Sequence, residues 1–103
     1  VDVEALIARA ESGEEGIWTA VERMANEGTL EDAAGALWPL VTEVERPVWV
    51  RRGVMHSVAH REVVDDHTLG RDLGAALCSE DEEDGLRGDA ADLILRGPAG
   101  TRA

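Results

Sequence analysis

Two histidines set four residues apart, His56 and His60, are the residues here whose type and spacing most suggest chemistry. At that spacing two imidazoles share one helix face and can hold a metal ion between them. Asp65, Asp66 and His67 follow closely and could add ligands. A metal-dependent enzyme using His56, His60 and His67 is therefore one reading of the cluster. A zinc-protease helix, however, needs Glu directly after the first His, and Ser57 stands there. The histidines read instead as surface or half-buried groups beside Trp49, and no metal or cofactor is expected.

Other catalytic chemistry has less to build on. Cys78 falls on an apolar stripe beside an acidic run, the opposite of the electropositive setting that activates a thiolate. Ser12, Ser57 and Ser79 sit at helix caps or in helices, with no nucleophile elbow around them. Glu14-Glu15 and Glu82-Glu83 could pair as acid and base, but charge runs are usually solvated faces. The glycines are scattered singly, so no phosphate-cradling loop is present. The chain reads as a non-enzyme.

A stripe suited to binding is clearer. Trp49, Arg52, Gly53, His56 and His60 fall at i, i+3, i+4, i+7 and i+11, along one side of a helix. Val50, Val54 and Val58 form a second, aliphatic stripe, which is the better core. Trp and Arg are the types most enriched at binding hot spots, so Trp49, Arg52, His56 and His60 are expected to face a protein partner. The surrounding stretch is the only one that is not acidic: Arg46, Arg51, Arg52, Arg61 and Arg71 outnumber Glu62, Asp65 and Asp66. Such a locally positive patch favours an acidic or aromatic partner patch.

The elements that must position this stripe read as helices throughout. Asp2 caps a first helix with Val3, Leu6, Ile7 and Ala10 inward. Ser12 and Glu15 have capping-box spacing for a second, which carries Ile17, Ala20, Val21, Met24 and Ala25 and stops at Gly28. Thr29 and Asp32 resemble a capping box for a third, whose spacing runs from Leu30 to Val44 with a kink expected at Pro39. The central helix is predicted over Val48–Val64, entered through Pro47. Asp65 or Asp66 caps a fifth, where Leu69, Leu73, Ala76 and Leu77 point inward and Gly70 and Gly74 would permit close backbone approach. After the acidic turn Ser79–Gly85, a sixth carries Leu86, Ala90, Leu93 and Ile94 and ends at Gly97-Pro98. No period-2 alternation is long enough for a strand. Residues 1–98 form one all-α domain, and 99–103 are expected to be a mobile tail.

The even-numbered helices repeat. Ile17, Val21, Met24 and Ala25 match Val50, Val54, Ser57 and Val58, which match Leu86, Ala90, Leu93 and Ile94. Three helix pairs follow, at about 1–28, 29–64 and 65–97. Trp38-Pro39-Leu40 in a bent first helix, the acidic turn Ser79–Asp84, and the apolar-Arg steps Val50-Arg51 and Leu86-Arg87 resemble a short stack of HEAT-like repeats. The resemblance implies antiparallel pairs in a right-handed stack that present their second helices to a protein. An irregular orthogonal bundle is the alternative arrangement.

Composition narrows the function classes. A net charge of −12 argues against direct nucleic-acid binding, which needs a basic footprint. Abundant acids, ten arginines and no lysine suit a salt-adapted, halophilic surface. The alternative is an acidic mimic that inhibits a DNA- or RNA-binding protein, but the carboxylates are spread over nearly every helix. The single cysteine, the lack of a signal-like N-terminus and the lack of any run near ~20 apolar residues point to a cytoplasmic setting away from membranes.

Overall fold

The computed structural model describes residues 2–59, 61–79 and 82–96. Among these the chain is all-helical, with α1 (Val3–Glu11), α2 (Ile17–Glu27), α3 (Leu30–Leu37), a 3-10 segment (Trp38–Val41), α4 (Val48–Val58), α5 (Asp66–Cys78) and α6 (Asp84–Arg96). The termination at Gly97-Pro98 and the tail 99–103 lie outside the described residues.

The caps show which local signals carried. Asp2 accepts from the Ala5 amide at 3.1 Å, and Gly28 closes α2 with φ of 77°, both as expected. Asp65 caps α5 by accepting from the Thr68 amide and hydroxyl, each at 2.8 Å. Its carboxyl is held below the usual range, first by the amide and then by the hydroxyl. The two capping boxes do not form. Ser12 closes α1 instead, its hydroxyl donating to the Arg9 carbonyl, and α2 starts at Ile17 behind an uncapped Gly16. Thr29 turns back to donate to the Met24 carbonyl at the end of α2.

Two helices are shorter than their apolar spacing suggests. Pro39 has no N–H for the Gly35 carbonyl, so α3 ends at Leu37 and the chain tightens into the 3-10 segment. Val44, expected inside, is 67% exposed as a result. The central helix α4 stops at Val58, not Val64. Glu62 takes a left-handed φ of 60° there, and the reversal returns Val63 and Val64 to the core edge.

Helix α4 sits at the centre, packed against α2 on one flank and α6 on the other, with the 3-10 segment on its buried side. Helix α1 packs on α2, and α5 on α6. With extents of 34 × 28 × 18 Å, the molecule is about two helices deep in its thinnest direction. Val50, Val54, Met55 and Val58 of α4 are fully buried among Leu6, Val21, Leu37, Leu40, Leu73 and Leu86. Gly53 provides the tight approach between helices, because a Cβ there would meet Ile17 at 3.4 Å. Gly70 and Gly74, proposed for that purpose, face open space. Leu77 and Cys78, expected on α5's apolar stripe, are both exposed.

Candidate functional site

The two stripes of α4 go to opposite sides, as their composition suggests. The valine stripe is core, while Trp49 is 45% exposed and Arg52 and His56 lie beside it on the outward face. His60, the fourth member, lies outside the described residues.

Arg52 and His56 are not free on that face. Both reach across to α6, where Asp89 accepts from Arg52 Nε at 2.5 Å and lies 3.1 Å from His56 Nε2. Burial pushes the Asp89 carboxyl up, but the bonds from Arg52 and His56 outweigh it and hold it below the usual range. Gly85 leaves room for the arrangement, since a Cβ there would meet the Arg52 guanidinium at 2.9 Å. The stripe that reads as locally positive from sequence is therefore neutralised by a residue 37 positions away.

The neighbouring arginine behaves differently. Arg51 points inward, Nε donating to the Val41 carbonyl at 2.9 Å and the two terminal nitrogens to Glu82 at 2.7 and 2.8 Å. Only 4% of the Arg51 side chain and 12% of the Glu82 side chain remain exposed. The paired guanidinium holds the Glu82 carboxyl below the usual range against its desolvation. The pair lines a cavity of about 230 Å³ with Val41, Thr42, Asp72, Ala75, Ala76 and Ser79. Trp38 forms part of the same junction, donating from Nε1 to Asp72 at 2.7 Å. Charge-run reasoning missed Glu82, because a solvated turn and a turn with one inward carboxylate have the same local sequence.

The same bond recurs one pair later. Arg87 Nε donates to the Leu77 carbonyl at 3.3 Å, as Arg51 does to Val41. Each bond runs from the start of a second helix back to the end of the helix segment before it. The two arginines and the two carbonyls are separated by the same number of residues.

No family model matches this chain, and no curated protein or solved structure gives a match. The site must be read from its own geometry. Among the described residues, no three His, Cys, Asp or Glu side chains gather to hold a metal ion. Asp65 is engaged as a cap, and Asp66 and His67 are exposed. No described helix is long and apolar enough to cross a membrane.

A second outward indole was not read from the sequence as part of this surface. Trp18, at the start of α2, is 48% exposed. Its position two turns before Ala25 puts it on the same flank of α2 as that residue. Ala25 shares a surface depression with Arg61 and Val63, beyond the end of α4. Of the three tryptophans only Trp38 is buried.

Proposed function

We propose that this chain is a non-enzymatic interaction module, a small HEAT-like scaffold that presents the outward side of α2, α4 and α6 to a protein partner. The observation that carries this reading is the half-exposed Trp49 on the central helix, above a fully buried valine stripe. A large indole left open on the best-packed helix is expensive to keep unless something covers it. The recurring Arg-to-carbonyl bonds of Arg51 and Arg87 support the repeat reading. The stack's handedness and a cytoplasmic, salt-adapted setting belong to the same proposal.

Arg52, His56 and His60 remain part of the proposed surface, but Arg52 and His56 act there as a pair-locked rim. Arg52→Glu combined with His56→Ala would disturb the docking of α6 through Asp89 as well as any partner. Trp49 is the cleaner probe. A photo-crosslinking amino acid at position 49 is expected to give a discrete adduct in an extract of the source cells. The same group at Glu11, exposed on α1, is expected to give none. Identical adducts from both positions, or none from position 49, would remove Trp49 from the interface.

A further inference from the structure

We propose that the cavity between α1, α2 and the start of α3 binds an aliphatic α-amino acid, with its carboxylate on Arg9 and its ammonium on Asp32. The cavity uses no residue of α4, so the proposal goes beyond the interaction reading above and stands or falls apart from it.

The site begins with an arginine that the fold leaves without a partner. Arg9 stands in the last turn of α1. Its Nε is buried and has no hydrogen-bond partner, and its guanidinium makes no ion pair among the described residues. Glu15 feels the Arg9 charge, but both its oxygens already accept from Arg23, at 2.8 and 3.1 Å. Native chains keep few buried donors without an acceptor, and charges taken out of water are usually paired. Packing therefore holds the Arg9 stem, and its terminal nitrogens stay open to an acceptor from outside. A guanidinium placed in this way meets a carboxylate through two parallel bonds.

The cavity beside it has the size and the walls for a small ligand. Arg9, Arg23, Met24, Thr29, Asp32 and Ala33 line about 450 Å³, within the roughly 300–1,000 Å³ of small-molecule sites. Met24 and Ala33 are buried and apolar, and give an aliphatic side chain its wall. Asp32 supplies the opposite charge. The Thr29 amide donates to the Met24 carbonyl at 2.9 Å, so Asp32 does not cap it, and Asp32 makes no ion pair among the described residues. One cation and one carboxylate thus border the same cavity without pairing with each other. Charge selects among the ligands that fit. A net charge of −12 repels a free anion such as phosphate or a dicarboxylate. A zwitterion carries no net charge, and each of its ends meets the opposite sign.

The test is isothermal titration calorimetry with L-leucine at up to about 10 mM. Isocaproate, which lacks the ammonium, and isoamylamine, which lacks the carboxylate, serve as controls. L-leucine is expected to bind, and each fragment to bind about tenfold more weakly. Arg9→Met and Asp32→Asn should each weaken leucine binding about tenfold. Arg61→Met removes one positive charge outside the cavity and should leave binding unchanged. Methionine keeps the apolar stem of Arg9 and strands no carboxylate, so the melting temperature of Arg9→Met should hold or rise. Either fragment binding as tightly as leucine would overturn the zwitterion. Binding that survives Arg9→Met, or falls equally in Arg61→Met, would overturn the site, as would no binding by leucine at this concentration. A melting temperature several degrees lower in Arg9→Met would show the guanidinium partnered within the fold and would overturn it too. The adduct from position 49 is independent of all these outcomes, so the interaction module can fail or stand by itself.

Discussion

Arg51 and Arg52 are neighbours in sequence and occupy opposite sides of α4. Arg51 is sealed inside, held by Val41 and by both oxygens of Glu82. Arg52 lies on the surface and shares Asp89 with His56. Both pairs tie α4 to the last helix pair, yet water separates their roles. A guanidinium buried with its carboxylate cannot lose its partner without leaving a charge stranded at low dielectric. An exposed one falls back on solvent. The inward pair therefore fixes how α4 meets the turn before α6, while the outward one joins α4 to α6 at the surface.

The largest expected effect breaks the inward pair. Arg51→Ala strands the Glu82 carboxylate and removes the bond to the Val41 carbonyl. Urea unfolding should show a loss of about 3–5 kcal/mol. Loss below about 1 kcal/mol would place Arg51 among ordinary surface pairs. Arg51→Met with Glu82→Gln should recover part of this, since no unpaired charge remains.

Acid should act on the carboxylates of both pairs. The Glu82 and Asp89 carboxyls lie below their ordinary range in the folded state. A depressed folded pKa gives stability that is present above the unfolded value and lost as pH falls through the folded one. Melting temperature should therefore fall from about pH 5 toward pH 2, and the fall should be shallower in the Arg51→Met, Glu82→Gln protein. An unchanged slope in that variant would show that Glu82 is not the sensitive group.

Salt should act on stability through the net charge. Screening relieves the self-repulsion of a chain at −12, so melting temperature should rise from low to molar salt. A melting temperature that stays flat or falls would count against a salt-adapted surface.

The smallest expected effect is at the outward pair. Arg52→Ala removes the half-exposed guanidinium from a largely buried Asp89, which keeps His56. Melting temperature should move by no more than a degree or two. A shift as large as that of Arg51→Ala would make the rim structural.

What the sequence disclosed follows the reach of each interaction. The valine stripe of α4, the Asp2 and Asp65 caps and the Gly28 stop depend on neighbours within a turn or two, and their spacing is visible in the chain. The ends of α3 and α4 were misread because apolar spacing persisted past Pro39 and Glu62, where backbone constraints prevailed. Asp89 against Arg52, and Glu82 against Arg51, join residues 37 and 31 apart. Nothing local distinguishes those two carboxylates from the solvated ones beside them. For that reason the outward stripe read as positive.

The central claim is that the outward side of α4 binds while the inward side holds the fold. The direct measurement is the melting temperature of Trp49→Leu and of Arg51→Met with Glu82→Gln, taken together with the crosslinked adduct from position 49. The account predicts a discrete adduct from position 49 and an unchanged melting temperature for Trp49→Leu, while the acid response of the buried-pair variant flattens. A Trp49→Leu protein that melts early, or a position 49 that gives no adduct, would contradict it.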